Sequence, residues 1–301
     1  MEGFAVVSPV VLSVSLAGVV FLAAGTVTAR MELAAARGLE RLVVLGPTLF
    51  AASLAAFGAE NLAAANAIAQ IVPEWMPWHL FWVYFVGLAE LAAALSLVAK
   101  RRVGLTAGLL AAMFLIFVLT IHLPNVLAQP RNRILWAVML RDTSFGAAAM
   151  ALTGSMTGDG KPGTRKWLVL AGRVLFALSL LMFGFEHMLH PEFAPGVPLA
   201  KLTPTWVPWR FFCADVVGAV LLVAGGALLF NKWARFAASS VGLTMVVLTV
   251  GLYLPIFAMT HGPAAGIEGA NYVFDTLLFG GAALLVAGAM PSEDQHTLVA
   301  R

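Results

Sequence analysis

FGAENL at 57–62 and FGFEHM at 183–188 are one short pattern written twice, and each runs on into a proline-tryptophan segment, PEWMPWHLF at 73–81 and PTWVPWRFF at 204–212. Superposing them pairs Phe57 with Phe183, Gly58 with Gly184, Glu60 with Glu186, Pro73 with Pro204, Trp75 with Trp206, Pro77 with Pro208 and Trp78 with Trp209. The match continues through Gly87 and Gly218, Leu123-Pro124 and Leu254-Pro255, and Asp142-Thr143 and Asp275-Thr276, at a spacing that drifts from 126 to 133. One unit of roughly 110 residues is used twice.

Of the 301 residues, 61% are hydrophobic and 11% charged, where a soluble domain carries about 25% charged residues. This composition indicates an all-α, polytopic membrane protein. Nine apolar stretches, near 5–28, 43–65, 79–99, 103–123, 134–154, 167–190, 210–230, 235–258 and 270–289, each reach the roughly 20 residues that cross a bilayer as a helix. The first is too long for a typical cleaved signal peptide and has no basic segment before it, because Met1-Glu2 precedes it directly, so it is expected to stay as a helix. The single cysteine, Cys213, excludes an intramolecular disulfide, a Cys-Xaa-Xaa-Cys redox pair and a thiolate cluster built by this chain alone. The net charge of +3 comes from short basic loops, not a basic tail, so it reads as topology and not as a nucleic-acid surface.

Arginine and lysine fall mainly in alternate loops: Arg30, Arg37 and Arg41; Lys100 to Arg102; Lys161, Arg165 and Lys166; Lys232 and Arg235. Placing these in the cytoplasm puts the N-terminus outside and the C-terminal tail inside an inner membrane. Arg131, Arg133, Lys201 and Arg210 fall on the opposite side. The expected organisation is an N-terminal helix and loop (1–42), a four-helix repeat (43–154), a cytoplasmic Gly/Pro-rich linker (155–166), a second four-helix repeat (167–290) and a cytoplasmic tail (291–301). Four helices per repeat is an even number, so the halves run in the same direction, as two parallel bundles.

Charged groups inside a bilayer cost at least about 2.5–3.5 kcal/mol each, which makes their positions informative. Glu60 and Glu186 lie near the outer ends of the first repeat helices. His122, matched by Tyr253, lies near the outer end of the third helix, and Asp142 and Asp275 lie in the outer part of the fourth. Glu90 is deeper and is matched by Leu221. Three readings stand side by side. These groups pair among themselves and hold the helices together; or carboxylates and histidine exchange protons with a quinone whose ring packs on Trp75, Trp78, Trp206 or Trp209, with His122 beside it; or His122, His187 and His190 ligate a metal or haem, although no diagnostic spacing is present and no metal is assigned. The tryptophans also suit a plain aromatic belt at headgroup depth. No nucleophile motif, phosphate loop or metalloprotease motif occurs. The second half alone joins an intramembrane carboxylate, Glu186, to an adjacent imidazole, His187; the first has Asn61 there. The more active site is therefore expected around Glu186, His187 and Asp275 beneath Trp206 and Trp209.

An arginine opening the first repeat helix (Arg173), Gly-Xaa-Xaa-His ending it (Gly184 to His187), a Pro/Trp loop and Gly-Xaa-Xaa-Glu in the second helix (Gly87 to Glu90) make the unit resemble the DoxX family. The resemblance covers both halves, about 43–290, and leaves the first helix outside. That family includes the DoxD-type small subunit associated with thiosulfate:quinone oxidoreductase. The resemblance implies an integral component of a quinone-linked oxidoreductase working with a redox partner subunit; the intramembrane ionisable groups themselves single out Glu60, Glu90, Asp142, Glu186, His187 and Asp275 as the expected chemical residues. The alternative is a non-catalytic membrane subunit or a small-molecule transporter. The chain departs from the pattern at Pro47 where Arg173 stands, at Asn61 where His187 stands, and at Leu221 where Glu90 stands.

Overall fold

The computed structural model describes residues 8–156, 162–196, 201–260 and 262–291. The start of the first helix, the linker residues 157–161 and most of the tail lie outside the described residues. Among the described residues the chain is all-helical, and eight helices are long and apolar enough to cross a membrane. They are α1 (Pro9–Thr28), α2 (Glu40–Ala63), α3 (His79–Val98), α4 (Val103–Phe117, continued to Ala128), α6 (Pro162–Leu189), α7 (Arg210–Leu229), α8 (Ala234–Leu248, continued to Ala258) and α9 (Pro263–Ala289). A further helix, α5 (Arg133–Met156), is as long but less apolar, because it carries Arg133, Arg141 and Asp142.

The repeat is written into the backbone. All six described non-glycine residues with positive φ form three matched pairs, Trp78 with Trp209, Lys100 with Asn231 and Arg102 with Trp233, each 131 residues apart. Such conformations cost roughly 1–2 kcal/mol per residue, and the same turns recur because each must start a helix at a fixed angle. The indole of Trp82 donates to the Pro77 carbonyl at 3.0 Å, and at the matching place the Cys213 thiol approaches the Pro208 carbonyl at 3.6 Å. The third helix of each repeat contains one wide π-turn, Val118–His122 in α4 and Thr249–Tyr253 in α8, followed each time by Leu-Pro.

Packing departs from two self-contained bundles. Within each half the first and second helices cross where glycine meets glycine: Gly58 lies on Gly87, and Gly184 on Gly218, so close that a Cβ at any of the four would stand only 2.6–3.0 Å from its nearest neighbour on the partner helix. The first helix of one half, however, packs along the fourth helix of the other. α2 lies along α9, α6 lies along α5, and α2 and α5 share no contact among the described residues. The matched residues Gly46 and Gly172 make the matched contacts, Gly46 against Leu284 and Gly172 against Ala147 and Ala151. The two repeats thus exchange partners, because the small residues that permit close approach face across the halves.

α5 and α9 meet at the centre, and Phe279 joins the halves through Phe145 of α5 and Phe176 and Phe183 of α6, with ring centroids at 6.5, 5.4 and 5.7 Å. Burial follows this plan: 83% of the most apolar window of α9 is buried, against 22% for α1 and α4, which form the periphery. α1 packs mainly on α2.

Candidate functional site

Exchange of partners sets the polar groups against one another across the halves. Arg141 and Asp142 stand side by side on α5, one turn before Phe145, and the matched turn of α9 carries Asp275 before Phe279. Because Asp275 meets Arg141 and Phe279 meets Phe145, α5 and α9 run in the same direction. The Arg141 guanidinium donates from Nη1 to Asp275 Oδ2 at 2.8 Å and from Nε to Asp142 Oδ1 at 3.1 Å. The other oxygen of Asp142 accepts from Nε2 of His122 at 2.8 Å. This His-Asp-Arg-Asp chain links the end of the α4 π-turn to both fourth helices. Phe274 occupies the position matching Arg141, so one cation serves both halves.

Two glutamates complete the cluster and have different partners. Glu90, 6% exposed on α3, accepts from Nδ2 of Asn61 at 2.9 Å, and the same amide also donates to the Phe57 carbonyl at 3.1 Å. Glu60 on α2 accepts from Nδ2 of Asn271 on α9 at 3.0 Å. Glu60 and Asn61 are consecutive on α2, Asn271 and Asp275 lie one turn apart on α9, and Arg141 joins Asp275 to Asp142, so these bonds connect the four acids into one group. Both glutamates thus face a neutral amide, whereas both aspartates face a guanidinium. That difference matters chemically. A carboxyl held by an amide can gain or lose a proton without breaking an ion pair, while protonating a carboxylate that shares an arginine breaks one.

The second-half constellation of Glu186, His187 and Asp275 is drawn apart. Asp275 turns to Arg141; Glu186 turns to Arg133 of α5, whose Nη1 lies 3.4 Å from Oε2, and the Arg133 guanidinium also covers the Phe193 ring at 4.0 Å. His187 is 1% exposed and both ring nitrogens are engaged by backbone: Nδ1 lies 2.6 Å from the Phe183 carbonyl and Nε2 accepts from the Gly196 N–H at 2.9 Å. Two fixed backbone partners hold the imidazole in one neutral tautomer, so His187 anchors the loop after α6. His190 lies beside Glu192 at 3.4 Å. The three histidines therefore have separate partners, and among the described residues no three His, Cys, Asp or Glu side chains gather as metal ligands would.

Trp75, Trp78 and Trp209 are largely exposed and Trp206 about half so, and none of them is bonded to the carboxylates. A surface pocket of about 610 Å³ lies at the second Pro/Trp loop, lined by Thr205, Val207, Trp209, Arg210, Phe211 and Phe212. Arg141 is expected from sequence to pair with a nearby glutamate and instead pairs with Asp142 and Asp275, while Asn271 is the member that sequence reasoning missed. Asn271 precedes Asp275 by four residues and so shares its helix face, the one signal that marks it in advance.

A family model described as a domain of unknown function (DUF8561) matches residues 50–138, from within α2 into α5. No curated protein and no solved structure matches the chain.

Proposed function

We propose that the chain is a proton-exchanging membrane protein, nine helices crossing a bacterial-type inner membrane with the N-terminus outside and the C-terminal tail in the cytoplasm, and that the cluster shared by its halves is the working site. One observation carries the reading: Glu60 and Glu90 are partnered by the neutral amides of Asn271 and Asn61, while Asp142 and Asp275 share Arg141. Ionisable groups inside a bilayer are costly and mark proton or substrate paths. Here they sit where two parallel repeats meet, beside helices interrupted by π-turns, an arrangement suited to a small-molecule transporter driven by protons. Glu90 and Glu60 take up and release the proton; Arg141 pairs with both aspartates and joins the halves; His122 connects the cluster to the Pro/Trp-loop side.

The second reading keeps the site and changes the partner: a DoxX-like component of a quinone-linked oxidoreductase, with a redox partner subunit supplying electrons. It is favoured by the exposed indoles on proline-fixed loops and by the pocket at Trp209, Phe211 and Phe212, whose flat apolar walls suit a quinone ring at the lipid boundary. In that reading Glu60 and Glu90 deliver the two protons that the quinone takes up with the two electrons from the partner, and are reprotonated from the water phase.

Purified protein in proteoliposomes, examined by infrared difference spectroscopy during a pH jump, tests the shared claim. The carboxyl signal of the wild type should be halved in Glu90→Gln and in Glu60→Gln and lost in the double variant, and an unaltered signal in the double variant defeats the proposal. Extraction and absorbance spectroscopy of co-purified quinone then separates the two readings.

A further inference from the structure

The two π-turns occupy matched positions, yet their surroundings differ. In α8, Thr249, Leu252 and Tyr253 are buried, and Leu252 and Tyr253 belong to a small separate core with Ala194, Ile256, Tyr272 and Val273. The Tyr253 hydroxyl donates to the Pro195 carbonyl at 2.9 Å, so the loop after α6, itself pinned by His187, clamps the turn in place. In α4 no residue of Val118–His122 is buried. Its one described side-chain hydrogen bond to another element is that of His122 on Asp142. A π-turn carries one extra residue in a helix and is often a functional element; the proline that follows each one, Pro124 or Pro255, supplies no backbone donor to the turn before it. Where few buried contacts hold a segment, opening costs little.

We propose that the Val118–His122 turn is the gate of the shared site, latched by His122 on Asp142, and that Thr249–Tyr253 is its immobilised copy. The inference rests on the shared cluster being the working site. When the latch opens, the α4 segment from Val118 through Leu123-Pro124 swings away, taking His122 off Asp142 and exposing the carboxylates to the side of the Pro/Trp loops. The second half has no such movement, because Tyr253 and the loop at Ala194 to Gly196 hold each other. Gly196 adopts φ +136, and a Cβ there would stand 3.0 Å from the Tyr253 hydroxyl, which shows how tightly the two fit.

Single cysteines at matched places, Ile121→Cys and Leu252→Cys, each in a Cys213→Ser background, test this with a membrane-impermeant maleimide added from the Pro/Trp-loop side. The Ile121→Cys protein should label faster than the Leu252→Cys protein. Adding His122→Phe removes the latch and should accelerate labelling at position 121 by about tenfold, the factor expected for one charge-assisted hydrogen bond, while leaving position 252 unchanged. His122→Gln, whose longer amide places a donor near the position of Nε2 and so still donates to Asp142, should return position 121 to slow labelling, which separates loss of the latch from loss of fold. Tyr253→Phe should accelerate labelling at position 252 alone. Equal rates in the two single-cysteine proteins, or a rate at position 121 indifferent to His122→Phe, overturns the gate. Labelling reads the opening directly, so it can succeed where the infrared test of Glu60 and Glu90 fails, and the reverse.

Discussion

The two halves have one skeleton and two uses for it. Their left-handed turns, glycine crossings and π-turns coincide, yet the first half puts Asn61, Glu90, His122 and Arg141 where the second puts His187, Leu221, Tyr253 and Phe274. In the first half the side chains at these places reach other side chains, and in the second they reach backbone or pack in apolar surroundings. A duplicated unit can therefore divide its labour: one copy keeps carboxyls partnered by side chains, while the other ties the matched positions to backbone and apolar neighbours and adds Asp275 and Asn271 to the common cluster. The division also explains why each copy looks incomplete when read alone.

The largest expected effect comes from the cation that makes one site from two halves. Arg141→Met leaves Asp142 and Asp275 without their guanidinium and should destabilise the detergent-solubilised protein by about 3–5 kcal/mol. The triple variant Arg141→Met/Asp142→Asn/Asp275→Asn should recover most of that loss in thermal denaturation. Phe274→Leu, at the matching position, should cost no more than about 1.5 kcal/mol. A similar loss for both would erase the asymmetry.

The exchanged packing predicts a smaller effect. A Cβ at Gly281 would meet the Phe50 backbone nitrogen at 2.6 Å, whereas at Gly226 nothing lies within 4 Å. Gly281→Ala should therefore destabilise by about 1–3 kcal/mol through overpacking of α2 against α9, and Gly226→Ala should be neutral or stabilise by up to about 1 kcal/mol. Cross-linking between cysteines placed on α2 and α9 should weaken in the first variant only.

Tyr253→Phe removes one neutral hydrogen bond from the second half and should cost about 1 kcal/mol, read as faster proteolysis of the loop after α6. His122→Phe should leave that loop unaffected.

The smallest effect lies at the edge of the first half. Glu32, in the short helix Arg30–Ala35, is held below the usual carboxylate range by its hydrogen bond from Lys100. A depressed value means that its contribution is present above the ordinary carboxylate pKa and is lost as pH falls through the lower folded value. The pair is exposed and screened by salt, so Glu32→Gln should only flatten a slight acid-side slope in melting temperature, and only at low ionic strength. The Arg235 pair with Glu40, in which the arginine also bonds the Ala287 and Met290 carbonyls, should resist salt better.

Hydropathy and the doubled motif were enough to read an all-helical chain crossing a membrane many times, and to align Glu60 with Glu186 and Asp142 with Asp275. Nine spans are expected from hydropathy, and among the described residues eight helices are long and apolar enough, the ninth, α5, carrying Arg133, Arg141 and Asp142. Those features are local or periodic, set by chain length against bilayer thickness and by repetition, and they need no knowledge of neighbours. The partners were decided elsewhere. Nothing in FGFEHM says that Nε2 of His187 will meet the Gly196 N–H, and nothing in the Asp275 turn says that its cation comes from α5 of the other half. Which helix lies beside which depends on where small residues allow backbones to touch. Gly46 on Leu284 and Gly172 on Ala147 and Ala151 set α2 on α9 and α6 on α5, and only that exchange brings Glu60, Glu90, Asp142 and Asp275 together. Sequence placed the charges along each helix; close packing between helices, across the halves for Glu60 and Asp275 and within the first half for Glu90, determined which of them face an arginine and which an amide.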